Sequence, residues 1–249
     1  IQHSTSNARR SCACGQLDVR CSILLLLLFA LVRADAASTT NAFEAGVDAY
    51  RAAEFARAAE AFRDSAATGP AAGTLQNLGN AEWQRRRVGD AILAWEQALW
   101  VNPFDANARN NLQFARETAQ IESPEWTWFE ETARWLPASA WAWISSFSLW
   151  IAVGMLTLPG ILRWRKAPWH QAVAALGLGV LLLSLPAQFG YLTCARVGFV
   201  LQPDTPLRLT PTAEAEAITR LAAGEPARLI RAKGNFLFLR TSRATGWVE

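Results

Sequence analysis

Side chains able to act as nucleophile, base or metal ligand are few in this chain and stand far apart. It has two histidines, His3 and His170, and four cysteines, Cys12, Cys14, Cys21 and Cys194. Cys12 and Cys14 have the spacing of a metal-binding pair, but a closed tetrahedral site needs four ligands, and only His3 lies near them. His170 and Cys194 are separated by an apolar run long enough to cross a bilayer, so no thiol and imidazole can meet there. Glu130 and Glu131 are adjacent, and neighbours on a helix point in different directions, whereas an acid and base pair must converge. Gly177-Leu178-Gly179 sits inside an apolar run with no lysine following, so it does not cradle a phosphate. The residue types point away from catalysis, bound metal and cofactor. What remains is recognition by surfaces, and the elements that carry those surfaces come next.

Two apolar stretches dominate the chain, Trp141 to Leu162 and Ala172 to Leu192, joined by a loop with Arg163, Arg165 and Lys166. At 1.5 Å per helical residue, each covers a hydrocarbon core of about 30 Å. No charge falls between Ala138 and Leu162. A soluble helix does not need to be apolar all round, so the pair reads as a transmembrane hairpin with spans at 138–162 and 171–193. Tryptophans cluster at both ends, Trp126, Trp128, Trp135, Trp141 and Trp143 at one and Trp164 and Trp169 at the other, as indoles do at a headgroup boundary. Short loops rich in Arg and Lys stay in the cytoplasm, so Arg163, Arg165 and Lys166 set the topology, with 163–170 as a cytoplasmic loop. Both flanks then lie outside the cytoplasm, consistent with a bacterial inner-membrane protein with periplasmic domains.

The chain has 249 residues, 51% hydrophobic, with a formal net charge of +3. That length leaves room for two modest domains beside the hairpin. The small positive surplus is spread over the membrane loop and the N-terminal leader, which leaves no basic face for nucleic acid. With Ile at position 1 and Met155 as its only methionine, the chain is read as a fragment. Arg20 precedes the apolar run Ile23 to Val32, and Ala34-Asp35-Ala36 follows with small residues suited to signal peptidase, so 1–36 reads as leader and secretory signal. An uncleaved anchor is the alternative, and either places the next segment outside the cytoplasm. Cys12, Cys14 and Cys21 leave with a cleaved signal. Cys194 then stands alone as an ordinary thiol beside the second span.

From Thr39 to Thr118 two blocks match at a fixed offset. Gly46 and Gly79, Phe55 and Val88, Ala58 and Ala91, Phe62 and Trp95, and Pro70 and Pro103 are each 33 residues apart (79 − 46, 103 − 70). Apolar and small residues within each block fall at helical spacing, and each proline stands where a second helix must stop. Each block is therefore a helix pair. The glycines and alanines allow close approach, while Phe62 and Trp95 are expected to fill the space between successive pairs. Leu78 and Ala98 complete the packing set. One pair cannot bury its own apolar face, so a further helix over Asn107 to Thr118, with Leu112 and Phe114, is expected to cap the array.

The runs Asn77-Leu78-Gly79-Asn80-Ala81, Gly89-Asp90-Ala91-Ile92, Trp95-Glu96-Gln97-Ala98-Leu99 and Asn102-Pro103 resemble tetratricopeptide repeats. The domain would cover 39–120. Glu82 and Arg86 depart from the family pattern, where an aromatic and a glycine are usual. The resemblance implies that the first helix of each repeat lines a groove for a peptide or partner helix, with Val47, Tyr50, Arg51, Asn80, Trp83 and Gln84 facing it. There Asn80 would hydrogen-bond an extended backbone in both senses, and Tyr50 or Trp83 would anchor it. A solvated or self-packed surface is the alternative role for these residues.

Glu122-Ser123-Pro124-Glu125 breaks the helical pattern and opens a linker over 121–137. Its aromatics, with Glu130, Glu131 and Arg134, suit a helix lying on the membrane surface, with packing against the helical array as the alternative. In the second span, Ala175 and Gly179 form a small-xxx-small pair suited to a close helix crossing, and Pro186 is expected to bend the helix. No charge lies in the centre of either span, which leaves a transporter without an ion path.

After Cys194 the pattern changes to short alternating runs: Val197 to Leu201, Leu207 to Leu209, Arg228 to Ala232 and Phe236 to Leu239. Lys233-Gly234-Asn235 reads as a hairpin turn, and the whole of 195–249 as a small β-barrel. Thr205 to Leu209, Ala222 to Glu225, Gly234 to Leu239 and the closing Gly246-Trp247-Val248 resemble a bacterial SH3-type domain, truncated at its last strand. That family binds cell-wall peptide or a protein, or shields a neighbour. Trp247 is read as core, with ligand contact as the alternative.

The fold class is thus multi-domain α plus β, with a helical tetratricopeptide repeat array, a two-helix transmembrane hairpin and a small SH3-like β-barrel. This order of parts resembles the BatE-type proteins of aerotolerance operons. The resemblance implies a non-catalytic adaptor, without a cofactor, that joins von Willebrand A-type membrane proteins in an envelope complex. The alternative is a sensor that binds peptidoglycan through 195–249.

Overall fold

A computed structural model describes residues 41–162 and 168–249. The expected leader and signal, with His3, Cys12, Cys14 and Cys21, and the loop residues Arg163, Trp164, Arg165 and Lys166 lie outside the described residues. The described chain is mixed α and β. Helices α1 to α8 precede a six-stranded antiparallel sheet, and two of the helices are long and apolar enough to cross a membrane.

The first five helices form an array: α1 (41–51), α2 (Phe55–Thr68), α3 (Ala72–Gln84), α4 (Val88–Val101) and α5 (Ala106–Ala119). Helices α2 and α4 begin and end 33 residues apart (88 − 55, 101 − 68). Pro70 and Pro103 each stand two residues past the helix they follow. Asp105 caps α5, its Oδ1 accepting from Asn107 N and Ala108 N at 3.0 Å, which satisfies two amides that a helix start otherwise leaves unpaired.

Ala53 (φ 60°), Arg86 (φ 63°) and Gln120 (φ 53°) hold the left-handed conformation just after α1, α3 and α5. A side chain there costs roughly 1–2 kcal/mol that glycine avoids. Arg86 holds a conformation that glycine adopts without strain, and its side chain is exposed. Arg86→Gly therefore raises stability by about 0.5–1 kcal/mol once glycine's greater unfolded-state freedom is deducted. A thermal midpoint that stays put or falls contradicts this.

Phe62 and Trp95 pack inside the helix pairs as well as toward the helices that follow, Phe62 sharing a buried cluster with Leu78 of α3 and Trp95 sharing one with Leu112 of α5. A Cβ at Gly46 would lie 2.7 Å from the Phe62 ring, and one at Gly79 would lie 2.5 Å from Trp95 Nε1. The same α1 on α2 contact thus recurs as α3 on α4. Ala58, Ala91 and Ala98 are fully buried around these rings, and Leu78 is buried beside Phe62. The Trp95 indole N–H is satisfied by Gln76 O and Asn80 Oδ1, both at 3.2 Å. Gly79→Ala forces the indole off these acceptors and costs about 1–3 kcal/mol, read as a lower midpoint with quenched or shifted tryptophan emission.

Helices α7 (Ala138–Ile161) and α8 (Pro168–Cys194) lie against each other as a hairpin. Only 17% and 22% of the residues in their apolar stretches are buried, whereas the core helices of a soluble protein are covered on most sides. The crossing differs from the expected one. Ala175 is exposed, and nothing stands within 4 Å of a Cβ at Gly179. Gly177 makes the approach instead, with Ser148 O at 3.0 Å and Ala152 N at 3.2 Å from its would-be Cβ. Closer to the other end, Ser145 and Ser184 hydroxyls meet at 2.9 Å, and Gln188 Nε2 donates to Ser145 Oγ at 3.1 Å.

The linker packs on the hairpin and on the array together. Short α6 (Trp128–Ala133) seats on α8 at Gly190, which is bare enough to admit Phe129 O. Trp141, expected at a membrane boundary, is buried and donates to Ala133 O at 3.2 Å, while Tyr191 Oη donates to Leu136 O at 2.8 Å. Trp126 meets Trp100 edge-on at 5.5 Å, with the Arg134 guanidinium 4.7 Å from the Trp126 ring. Trp128 and Trp135 stay exposed.

The C-terminal strands are β1 (Val197–Phe199), β2 (Thr205–Arg208), β3 (Ala217–Leu221), β4 (Pro226–Lys233), β5 (Phe236–Arg240) and β6 (Thr245–Val248), ordered β1-β4-β5-β6-β2-β3. Gly234 (φ 59°) turns the β4–β5 hairpin. The sheet is open, where a closed barrel was expected. Closure needs β1 to pair with β3, but β1 has only three residues, and the backbone that follows it bonds to the turn before β4, Val200 N donating to Glu225 O at 3.0 Å and Gly224 N to Val200 O at 2.6 Å, while it packs against the array. A Cβ at Gly89 of α4 would lie 2.5 Å from Val200 O. Trp247 is buried at 6% exposure, 5.0 Å from the Phe238 ring, so it serves the sheet's core.

Candidate functional site

The groove residues come from equivalent positions one repeat apart: Val47 and Asn80, Tyr50 and Trp83, Arg51 and Gln84 (80 − 47, 83 − 50, 84 − 51). The structure gathers Tyr50, Asn80, Trp83 and Gln84 into one depression of about 300 Å³, completed by Trp95, Asn111 and Phe114. Helices α1, α3 and α5 supply all of these except Trp95. Val47 packs instead toward the buried cluster around Phe62. Arg51 is exposed and, among the described residues, pairs with Asp48 alone, at 3.4 Å, a contact that contributes little in water.

The depression has an aromatic floor and a polar rim. Trp83 stands 6.0 Å from Trp95 and 5.9 Å, edge-on, from Phe114, which is 58% exposed. Asn80 differs from the expectation that it would bond a partner in both senses. Its Oδ1 already accepts from Trp95 Nε1 at 3.2 Å and from Asn111 Nδ2 at 2.8 Å, which uses both lone pairs of that oxygen. Its NH2 is what it has left to offer, and that group donates to carbonyl or carboxylate oxygens. Asn111 and Phe114 were not assigned to the groove from sequence. The 33-residue offset from Asn80 and Trp83 lands on Gln113 and Arg116 (80 + 33, 83 + 33) and so misses both.

Three buried carboxylates hold the array, linker and sheet together. Glu82, 1% exposed, is met by Arg63 of α2, by Arg85 at 3.0 Å and by Arg87 at 3.8 Å. Glu96, equally buried, is met by Arg116 of α5 and by Arg134 at 3.2 Å, which ties the array to the start of the hairpin. Glu130 of α6 is fully buried. Both its oxygens accept from Arg228 of β4 at 2.8 Å, and its Oε2 also accepts from Thr127 N at 2.9 Å. Burial raises the Glu130 pKa, but the hydrogen bonds from Arg228 and Thr127 outweigh it and hold the carboxyl at about 2, below its ordinary 4.5. Arg228 also donates to Glu125 O at 3.0 Å. A bidentate guanidinium thus joins the sheet to the segment that enters the hairpin.

Among the described residues no group of three or more His, Cys, Asp or Glu side chains converges as a metal site. The arrangement that can recognise something is the aromatic and amide depression, carried on a helical array at one end of an apolar hairpin. Compared with known proteins, the chain matches no family model and no curated protein.

Proposed function

We propose that this chain is a membrane-anchored, non-catalytic scaffold that holds an extended segment of another envelope protein against the Tyr50, Asn80, Trp83 and Phe114 depression. The convergence of those side chains from three helices carries the reading, because exposed aromatics ringed by amide donors suit a peptide with one apolar anchor and free carbonyl oxygens. The 33-residue recurrence of helix ends, left-handed caps and glycine-on-aromatic contacts supports taking the array as tetratricopeptide repeats. The BatE-type order of parts then suggests von Willebrand A-type membrane proteins as partners.

Helices α7 and α8 are taken to span the inner membrane, with 163–170 in the cytoplasm. Array and sheet sit at the same end of the hairpin, in keeping with both being periplasmic, and the open sheet is the candidate SH3-type unit. At about 300 Å³ the depression accepts only one or two side chains, so an isolated peptide binds weakly. Confinement to the same bilayer offsets this by raising the effective concentration of the partner.

A photoreactive residue in place of Gln84, on the groove rim, tests the reading in native membranes. The expected product is an adduct to an envelope protein that is not formed from the exposed α2 position Glu60. Equal adducts from both positions, or adducts to wall peptide alone, overturn it.

A further inference from the structure

Helix α7 carries a second face that the fold leaves unused. Its buried residues are Trp141, Ser148, Ala152 and Pro159. Half a turn away run Trp143, Phe147, Trp150, Gly154, Thr157 and Ile161, alternately four and three residues apart, the spacing of a left-handed helix pair. Trp143, Phe147, Trp150 and Ile161 are 63%, 60%, 70% and 73% exposed. The Trp143 and Phe147 rings stack with their centroids 5.4 Å apart.

The outer face of α8 is different: its exposed aromatics, Trp169 and Phe189, stand near its ends, and between them Leu176, Leu182 and Leu183 expose only aliphatic carbon, which acyl chains satisfy. Trp150 stands in the middle of the 24-residue α7, about 18 Å of helix from either end. If α7 crosses the bilayer, as proposed above, this indole lies near the midplane, far from the boundary where its N–H would stay wet. Hydrocarbon offers that N–H no acceptor, and an unpaired donor there is disfavoured. Lipid therefore suits α8 and leaves α7 unsatisfied.

We propose that two copies of this chain pair through this face, with their α7 helices parallel and related by a two-fold axis along the membrane normal. Copies inserted with the same orientation place equal residues at equal depth. Helical side chains lean toward the N-terminus, so each Trp150 ring lies over the turn that holds Ser146. The exposed Ser146 hydroxyl of the facing helix stands at that depth as an acceptor, and Gly154 one turn below lets the backbones approach. At about 150–250 Å² per aromatic side chain, the three exposed rings offer roughly 300–500 Å² per copy. Two copies cover about 600–1,000 Å² by the rings alone, and Thr157 and Ile161 extend this to the roughly 1,000 Å² that marks a specific interface.

The test uses the full chain with its four cysteines changed to serine and two differently tagged copies co-expressed. One cysteine is introduced at 143, 147, 150, 154, 157 or 161, or at the exposed off-face positions 142, 149 or 153, and native membranes are oxidised. The expected result is disulfide-linked dimers carrying both tags from the face positions, at least fivefold above the off-face positions. A flat or empty pattern, in membranes that retain the chain through alkaline extraction, overturns the pairing and leaves the anchor reading intact. Cross-links from the same positions to a different protein overturn the second copy as occupant. Release of the chain by alkaline extraction overturns the membrane reading, and the pairing with it.

Discussion

Arg228→Ala destabilises the folded chain by about 3–5 kcal/mol at neutral pH, because it leaves the fully buried Glu130 carboxylate without its cation. The pH dependence follows from the same pair. A carboxyl whose folded pKa is depressed stabilises the fold in full above its unfolded value, and that contribution is lost as pH falls through the folded value. For the wild-type chain the window runs from about 4.5 down to about 2. In the variant, burial is no longer opposed by Arg228, so Glu130 takes up its proton at a higher pH and the penalty for its charge disappears. The difference in thermal midpoint between the two chains, measured in detergent micelles, is therefore largest near pH 7 and shrinks below pH 4. The double change Glu130→Gln with Arg228→Met recovers much of the loss, since neither charge is then buried alone. A constant difference across pH, or none at pH 7, contradicts this account of how the sheet is held to the linker.

Gly190→Ala is the second large effect, about 3 kcal/mol, at the upper end of the usual cost of overpacking. The added Cβ collides with Phe129 O, and a backbone atom has no rotamer into which to retreat. Helix α6 lifts from α8, and the Trp141 to Ala133 and Tyr191 to Leu136 bonds strain with it. The measurement is limited proteolysis of the 121–137 linker in micelles, which is cut at least tenfold faster in the variant. Gly179→Ala meets open space and leaves the rate unchanged. Equal rates for the two variants would show that the seat at Gly190 is not tight.

The contrast between these two glycines shows where the sequence is informative. A small residue one turn from another is visible in the letters, but which of Ala175, Gly177, Gly179 and Gly190 meets a neighbour depends on the rotation of α8 about its own axis, which contacts with α6 and α7 decide. Both apolar helices were legible to within a few residues, because a bilayer-length run free of charge has few other uses. The helix pairs of the array were legible through its 33-residue offset, whereas the groove positions came only from the resemblance, and of them Val47 and Arg51 lie outside the depression. Asn111 and Phe114 were passed over because α5 does not keep the offset: carried from Asn80 and Trp83 it lands on Gln113 and Arg116.

Strand β3 was missed because Ala213 to Ala223 is rich in Ala and Glu and reads as helix, and only pairing with β2 makes it a strand. The open sheet was not foreseen because nothing local marks Gly89 as the residue against which the backbone after β1 packs. Glu130 read as one of two adjacent carboxylates, and its partner lies 98 residues away, beyond the reach of any local pattern.

The most direct test of the scaffold reading is co-purification after cross-linking in native membranes, comparing the wild-type chain with the combined Tyr50→Ala and Trp83→Ala variant. Both side chains are half-buried and rest on the array's core clusters, so the variant's midpoint falls, and unchanged helical circular dichroism at the assay temperature checks that it is still folded there. The account predicts that the wild-type chain brings down a membrane-bound envelope protein, foremost one of von Willebrand A type, and that the variant loses it at least tenfold. Equal recovery by both chains, or recovery of wall fragments alone, would contradict it and move attention to the C-terminal sheet.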